Sequence, residues 1–265
     1  MVKGLYTAYT GMVIEQKKMD KLSNNMANAD TNGYKKQGMA ATSFADQLAF
    51  RIKDTSSYNL PRSMGDITFG AKVGETYMDW SAGDMRVTDN TDDFAIDGKG
   101  FFAVNMGQDG GGRAVNLTRD GAFVVDREGY LVTKEGEHVL TRNGGMNGGM
   151  AEGDWVKINP ELPYTVDERG DIYQNNQVVS NIGIFDVEDY SSLREFANNM
   201  FVPEDGIIAS DSSVLQGVLE GSNINVVDEM VEMITVTRAY EANQKLIQTI
   251  DGDLEKAVTQ VGRVG

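Results

Sequence analysis

Apolar residues near the N-terminus recur at heptad spacing. The N-terminal seam is formed by Leu5, Met12, Met19, Leu22 and Met26. Four of these lie seven residues apart, and Leu22 occupies an intermediate position, as in a helix that buries one narrow apolar stripe. Glu15 is the exception within the pattern. The pattern predicts a helix from residue 1 to about residue 28.

The C-terminal part of the chain repeats this pattern over a longer distance. Its seam is formed by Val226, Met233, Tyr240, Ile247 and Leu254, again seven residues apart. Asn225 is a favourable N-cap residue, and Asp228 follows in the first turn, where the helix dipole stabilises negative charge. We therefore predict a second helix from about residue 224 to residue 261.

Between the two predicted helices the period of the pattern changes. From about residue 60 to residue 210, short apolar runs are separated by turn signals, and all four prolines of the chain lie here. Such runs predict an all-β domain that resembles a sandwich or barrel. Residues 125–131 and 166–172 share one Val-Asp-x-x-Gly pattern, which predicts two similar hairpins. The glycine-rich stretches 107–112 and 143–149 are expected at hairpin tips.

The predicted fold class is therefore α+β. We expect residues 1–34 to form a coiled-coil helix and turn, and residues 35–85 to form an extended linker region. Residues 86–215 are expected to form the central β domain, and residues 216–265 the C-terminal coiled-coil helix. Because the chain leaves and re-enters the same β domain, the helices can pair as an antiparallel hairpin.

Further apolar side chains lie off the two seams. They are Tyr6, Tyr9, Val13 and Ile14 in the first helix, and Val227, Met230, Ile234 and Leu246 in the second. A two-stranded pair buries only one stripe of each helix, so these side chains predict contacts with other subunits. A head-to-tail contact that does not close generates a helical filament.

Composition excludes several kinds of chemistry. The chain has no cysteine and one histidine, His138, so thiolate sites and multi-histidine metal sites are excluded. The formal net charge of −16 argues against nucleic-acid binding. No apolar run is long enough for an integral membrane segment. We expect no catalytic residues, no metal site and no cofactor, and therefore no enzymatic activity.

Charge is unevenly distributed along the chain. Residues 1–53 hold eight basic and four acidic side chains, and residues 221–265 hold four basic and seven acidic ones. Lys35 and Lys36 are expected on a solvated face. Asn24, Asn25 and Asn28 are either solvent-facing amides or members of a hydrogen-bonded cap or network between subunits.

Three stretches of the chain resemble the bacterial flagellar rod and hook proteins. The first is the run 22–36, which includes Ser23-Asn24-Asn25, Ala27-Asn28 and Gly33-Tyr34. The second is the run 95–102, together with 118–123 and 129–132. The third is the run 219–231, followed by Arg238-Ala239-Tyr240-Glu241. The resemblance extends over almost the whole chain, and within the family the chain looks most like the distal rod protein.

The resemblance implies a structural subunit of the flagellar basal body. Subunits of this family assemble into a hollow helical tube that transmits torque from motor to hook, with the terminal helices inside and the β domain outside. The implied partners are further copies of the chain, other rod and hook proteins, and the flagellar export apparatus. The implied route is export without a cleaved signal peptide.

A second functional class remains open at the level of the sequence. The same pattern fits a surface-exposed coiled-coil oligomer that presents a β-domain binding head. Low helix content and protease-labile ends in the purified monomer, with a resistant core near residues 60–215, would favour the first class.

Overall fold

A computed structural model describes residues 2–45, 47–51, 62–105, 115–149, 151–196, 199–204 and 206–262. Within these ranges the chain is α+β, with an N-terminal helix, a C-terminal helix and a β-rich region between them. The helices are α1 (Val2–Ala27), α2 (Arg142–Asn147) and α3 (Val226–Val261). The two long predicted helices are confirmed to within about two residues at each end. Contacts within the chain divide it into two compact units.

Unit 1 comprises residues 1–27, 37–79 and 225–265. It contains α1, α3 and the strands β1 (Gln37–Ser43), β2 (Gln47–Arg51), β3 (Arg62–Ile67) and β4 (Ala71–Met78). β1 pairs antiparallel with β4, and β2 with β3. The segment 35–85, expected as an extended linker, therefore carries four strands. Tyr77 lies opposite Gly38 in the β1–β4 pair, and its ring fills the space that a Cβ of residue 38 would need.

Unit 2 comprises residues 28–36 and 80–224. Its strands are β5 (Met85–Val87), β6 (Phe94–Asp97), β7 (Phe101–Asn105), β8 (Val115–Thr118), β9 (Val124–Val125), β10 (Leu131–Val132), β11 (His138–Val139), β12 (Thr165–Val166), β13 (Asp171–Gln174), β14 (Gln177–Asn181), β15 (Ile184–Asp186), β16 (Leu193–Phe196), β17 (Met200–Pro203), β18 (Ile208–Ala209), β19 (Ser213–Gln216) and β20 (Val218–Glu220).

The strands of unit 2 form antiparallel sheets around one apolar core. The largest sheet has nine strands, seven of which follow the order β16-β17-β8-β7-β11-β10-β9, while β15 pairs with both β7 and β18. A three-stranded sheet, β12-β13-β14, and the pairs β6–β19 and β5–β20 complete the unit. Phe94, Phe102, Ile172, Ile182 and Val214 belong to the core, so several sheets contribute to it.

The two predicted hairpins are confirmed, with matching turns. In the first, Gly129 has φ 85° and its N–H donates to the carbonyl of Asp126. In the second, Gly170 has φ 82° and donates to the carbonyl of Asp167. Both glycines occupy the left-handed region that a side chain disfavours, which explains the shared sequence pattern.

One glycine-rich stretch lies in the connection between two paired segments, and the other lies outside the described residues. Leu140 pairs antiparallel with Trp155, so residues 143–149 fall between paired segments, although Arg142–Asn147 forms a short helix capped by the Thr141 side chain. Gly145 packs against the ring of Phe185, where a Cβ would come within 2.3 Å of a ring carbon. Gly148 and Gly149 have φ of 94° and 67°, so these two glycines serve the turn after the helix. The stretch 107–112 falls outside the described ranges.

Candidate assembly surface and chain-end cluster

The two long helices of unit 1 contact each other in antiparallel orientation. Gly4 lies against Ile250, Gly11 against Asn243, and the Asn25 side chain against that of Glu229. From Gly4 to Gly11 the contact moves seven residues forward along α1 and seven residues backward along α3. From Gly11 to Asn25 it moves fourteen residues forward along α1 and fourteen backward along α3. The helices therefore keep one register along the contact.

The predicted seam residues lie on the sheltered side of both helices. Leu22 is buried, and the other nine seam residues are partly buried: Leu5, Met12, Met19, Met26, Val226, Met233, Tyr240, Ile247 and Leu254. On α3 the intervening positions 229, 236, 243, 250 and 257 are also buried or partly buried. The sheltered residues thus alternate in steps of three and four, which is the spacing of a heptad seam.

The opposite side of α3 carries an exposed apolar stripe. We call Val227, Met230, Val231 and Ile234 the outer stripe; Val227 is 67% exposed and Ile234 is 53% exposed. Their spacing of three and four residues places them on one helix face. On α1, Tyr6 and Tyr9 are also exposed. Unit 1 therefore presents apolar surface that the paired helices do not cover.

A buried amide network joins the end of α1 to the start of α3. The Asn25 side chain is fully buried, and its Nδ2 donates to the carbonyl of Gln37 at 3.0 Å and to Glu229 Oε2 at 3.1 Å. Its Oδ1 accepts from the backbone N–H of Gln37 at 3.1 Å. Lys21 Nζ donates to Gln37 Oε1 at 2.6 Å. Of the two interpretations of the asparagines, Asn25 follows the hydrogen-bonded one, within a single chain.

In unit 2, the segment 28–36 packs against β20 and the end of β8. Gly33 has φ 64°, and its N–H donates to the carbonyl of Glu220 at 2.8 Å. A Cβ on Gly33 would come within 2.4 Å of the carbonyl carbon of Arg119. The position therefore requires glycine both for its backbone angle and for the close approach of a second backbone segment.

Three buried charged side chains meet beside this segment, and we call Lys35, Arg119 and Glu220 the ion cluster. Lys35 Nζ lies 2.6 Å from Glu220 Oε1, and Arg119 Nη1 lies 2.9 Å from Glu220 Oε2. Lys35 is 2% exposed and Glu220 is 1% exposed. The prediction of a solvated face is therefore wrong for Lys35.

Backbone groups supply further hydrogen bonds to the ion cluster, although the buried Nε of Arg119 has no hydrogen-bond partner within the described residues. Lys35 Nζ also donates to the carbonyl of Ser81 at 2.8 Å, and the N–H of Gly83 donates to Glu220 Oε1 at 3.1 Å. Arg119 Nη2 donates to the carbonyl of Gly98 at 2.7 Å. Buried charges persist where they are paired and hydrogen-bonded, and this cluster meets that condition except at Arg119 Nε.

The remaining family-motif residues lie at varied depths. Tyr34 is buried with Asn25 and Gly33, whereas Asn28, Ala239 and Tyr240 are partly buried. Exposed positions are Ser23, Asn24, Ala27, Arg238 and Glu241. The structure thus joins the motif of residues 22–36 to the motif of residues 219–231 through Gly33 and Lys35 with Glu220, and through Asn25 with Glu229.

Sequence reasoning missed Glu220, Arg119, Gln37 and Glu229 as partners in these contacts. The only local signal was a charged residue beside an apolar run, as in Leu219-Glu220 and Thr118-Arg119. Such a signal does not identify the partner, because Glu220 lies 101 positions after Arg119 and 185 positions after Lys35.

The acidic loop at residues 89–93 forms a polar turn. The Tyr164 hydroxyl donates to Asp92 Oδ1 at 2.7 Å, and burial together with this hydrogen bond raises the pKa of Tyr164 well above its ordinary value. Burial also raises the pKa of Asp120. Across the described ranges, no group of three or more histidine, aspartate or glutamate side chains is arranged to hold a metal ion. No helix in those ranges is both long and apolar enough to cross a membrane.

Comparison with known families identifies the class of protein to which this fold belongs. Residues 95–237 match the family described as flagellar hook protein FlgE/F/G D1 domain. Residues 215–260 match the flagellar basal body rod FlgEFG protein C-terminal family, and residues 5–35 match the flagella basal body rod protein family. These families describe structural proteins of the flagellar axis.

Relatives of similar length share the whole chain. The flagellar basal-body rod protein FlgG of Bacillus subtilis is 30% identical over 275 residues, which cover 97% of this chain and 98% of the relative. FlgF of Mesorhizobium japonicum is 27% identical, with 99% of each chain covered. The flagellar hook-basal body complex protein FlhO of Bacillus subtilis is 28% identical, with both chains fully covered.

The chain belongs to the flagellar rod and hook family that includes FlgF and FlgG. It is a component of the flagellar basal body and serves motility. Membership of this family implies assembly with other rod and hook proteins.

Proposed function

We propose that this chain is a non-enzymatic subunit of the flagellar rod, which polymerises into a hollow helical tube and transmits torque from the motor to the hook. Its partners in this proposal are further copies of the chain and neighbouring rod and hook proteins, and the flagellar export apparatus delivers it. Within the family, we assign it to the distal rod. The exposed outer stripe of α3 is the observation that carries the assembly part of the proposal.

Paired terminal helices provide the scaffold for this surface. We propose that α1 and α3 form an antiparallel coiled coil through the seam residues, in the register set by Gly4 with Ile250 and Gly11 with Asn243. The sheltered positions of both helices support this pairing, because they follow the three-and-four spacing of a coiled-coil seam. Burial of the seam leaves the outer faces free for neighbouring subunits.

The outer faces of the two helices complement each other. The outer stripe is aliphatic and is flanked by the exposed acidic residues Asp228 and Glu232. On α1, the exposed Tyr6 and Tyr9 are accompanied by basic residues such as Lys3 and Lys17. We propose that the outer face of α1 in one subunit packs on the outer stripe of the next. Such a contact joins two different surfaces, so it propagates into a helical polymer unless it closes into a ring.

Substitution of Ile234 by aspartate tests this proposal. A strain whose only copy carries Ile234→Asp is expected to lack hooks and filaments and to lose swimming, because a charge would be buried between subunits without a partner. Thr249→Asp is the matched control, since it adds the same charge at an exposed position of α3 off the outer stripe and is expected to leave swimming intact. Purified Ile234→Asp should unfold at the same temperature as the parent chain. Normal flagella on cells that carry Ile234→Asp would overturn the proposal.

Deletion of the gene tests the axial role itself. The deletion strain is expected to retain the export base of the flagellum but to lack hook and filament in electron micrographs. Complete flagella in that strain would contradict a role in the rod.

A further inference from the structure

The only histidine of the chain lies in a stack of aromatic rings in unit 2. The imidazole of His138, in β11, stacks on the indole of Trp155 with ring centroids 4.0 Å apart and an angle of 8° between the planes. The ring of Tyr130 meets both of them edge-on, at 5.4 Å from His138 and 5.5 Å from Trp155. The stack therefore joins β11 to the segment that contains Trp155.

One nitrogen of the imidazole is buried without a partner. Nδ1 of His138 is enclosed and makes no hydrogen bond within the described chain. The neutral ring tolerates this position, because a lone pair at Nδ1 with the proton on Nε2 costs less than an unsatisfied N–H donor. A second proton would create such a donor, with a positive charge, at a site that has no acceptor.

Water and protons have a route to the ring. His138 lines an open groove of about 430 Å³ together with Val124, Asp126, Val132, Lys134 and Glu135. This groove lies along β9 and β10, at the edge of the sheet where β9 is the last strand. Protonation of the imidazole therefore does not require the domain to unfold first.

Main-chain bonds and one core side chain hold the Trp155 segment, which we define as residues 151–157. The N–H of Val156 donates to the carbonyl of Val139 at 2.9 Å, its carbonyl accepts from the N–H of Leu131 at 3.0 Å, and its side chain belongs to the core. The N–H of Thr141 donates to the carbonyl of Asp154 at 2.8 Å, and the indole Nε1 donates to the carbonyl of Gly149 at 3.1 Å. The His138–Trp155 stack adds a contact between side chains of the segment and β11.

Charged groups lie in the turns and strands beside the stack. Asp126 and Glu128 lie in the turn after β9, Lys134 and Glu135 lie in the turn after β10, and Glu137 precedes His138 with its carboxylate hydrogen-bonded by Thr133. Lys157 Nζ lies 4.6 Å from the centroid of the Tyr130 ring and donates to its hydroxyl at 3.2 Å. Burial lowers the pKa of His138 below its ordinary value, although Asp126 and Glu128 act in the opposite direction.

We propose that the His138–Trp155 stack is an acid-sensitive latch, which adds to the bonds that hold the 151–157 segment against β11 while the imidazole is neutral and loses this contribution when the imidazole is protonated. Opening of the stack gives the new N–H at Nδ1 access to water. Because the pKa of His138 is lower in the folded chain than in the unfolded chain, the stabilisation is complete above pH 6.5. It is lost as the pH falls from 6.5 to the pKa of the folded chain. The latch does not depend on the assembly proposal.

Hydrogen exchange and fluorescence of the full chain test the latch. The variant Trp80→Phe leaves Trp155 as the only tryptophan. After correction for intrinsic exchange rates, we expect amides of residues 151–157 to exchange faster at pH 5.5 than at pH 7.5, by up to about tenfold. Exchange in the β13–β14 hairpin, residues 171–181, should not change. The emission of Trp155 should change with the same midpoint as the single imidazole signal in NMR spectra.

Two variants separate the latch from a purely structural role of the histidine. His138→Gln and His138→Phe both remove the titration, and Phe keeps a flat ring against Trp155. In each variant that folds, exchange of residues 151–157 is expected to be independent of pH. The proposal is overturned if the imidazole titrates in the parent chain without a change in exchange or emission. It is also overturned if His138→Phe shows the same acceleration at pH 5.5.

Discussion

Lys35 illustrates how much a single residue depends on distant partners. It stands beside Lys36 in the chain, but its ammonium group is enclosed by Glu220 and by the carbonyl of Ser81. Burial of one charge without its partner costs several kcal/mol, so each member of the ion cluster depends on the others. Nothing in the local sequence distinguishes the two lysines, because the enclosing groups lie 46 and 185 positions away.

Replacement of Lys35 by methionine should therefore destabilise unit 2 strongly. Lys35→Met keeps the aliphatic length but leaves Glu220 paired only with Arg119 among the side chains of the ion cluster, and we expect the free energy of unfolding to fall by about 3 kcal/mol. Lys99→Met, at an exposed position, is the control and should change it by less than about 0.5 kcal/mol. Urea denaturation measures both variants. Equal stabilities of the two variants would show that the ion cluster contributes little.

At the scale of the element, the two long helices follow from the sequence and the short one does not. The seams of α1 and α3 are local patterns, and the N-cap of α3 is confirmed, since Asn225 Oδ1 accepts from the N–H of Val227 at 3.0 Å. Helix α2 contains two glycines in six residues, a composition with weak helix propensity. Its glycines are explained only by the buried neighbours that pack against them.

The N-cap of α3 gives a prediction at this scale. Asn225→Ala removes the acceptor for the first turn and should lower the stability of α3 by about 1 kcal/mol. Asn225→Asp retains an acceptor and adds a favourable charge at the helix N-terminus, so it should match or exceed the parent. Thermal unfolding followed by circular dichroism at 222 nm measures both. A loss of equal size in the two variants would mean that the cap does not contribute.

At the scale of the whole molecule, each compact unit is assembled from separate parts of the chain. Unit 1 combines both chain ends with residues 37–79, and unit 2 combines residues 28–36 with the central region. The hydrogen bond from Asn25 to Glu229 spans 204 positions. Formation of either unit therefore requires that distant parts of the chain come together.

Tyr240→Asp gives a prediction for the folding of unit 1. Tyr240 lies on the sheltered seam, so a carboxylate there should weaken the packing of α3 on α1 by about 2 kcal/mol and also abolish assembly. This variant differs from Ile234→Asp, which should lose assembly alone. Tyr240→Phe keeps the ring and is expected to behave as the parent chain. Helix content against temperature, measured beside swimming of the complemented strain, distinguishes the two effects. Unchanged helix stability in Tyr240→Asp would place the seam elsewhere on α3.

The candidate site was predictable in part. The exposed positions of Tyr6, Tyr9, Val227, Met230, Ile234 and Leu246 agree with the surplus of apolar residues off the seams. The prediction is wrong for Ile14, which is buried, and Val13 is partly buried. The ion cluster and the His138–Trp155 stack were not predictable, because each depends on which strands become neighbours. Val132 and Asn105 flank His138 in the sheet, and this arrangement follows from strand order rather than from any local pattern.

The sequence by itself determined the two long helices, their sheltered seams, the β-rich centre and the paired Val-Asp-x-x-Gly turns. These features depend on periodicity and on backbone preferences within a few residues, so they are local. Only the tertiary structure decided that Lys35 is buried, that Asn25 is buried while Asn24 is exposed, and that the glycines at 144 and 145 serve packing. The physical reason is that burial of a charge, an amide or a glycine depends on partners far away in the chain, and the fold alone brings those partners into contact.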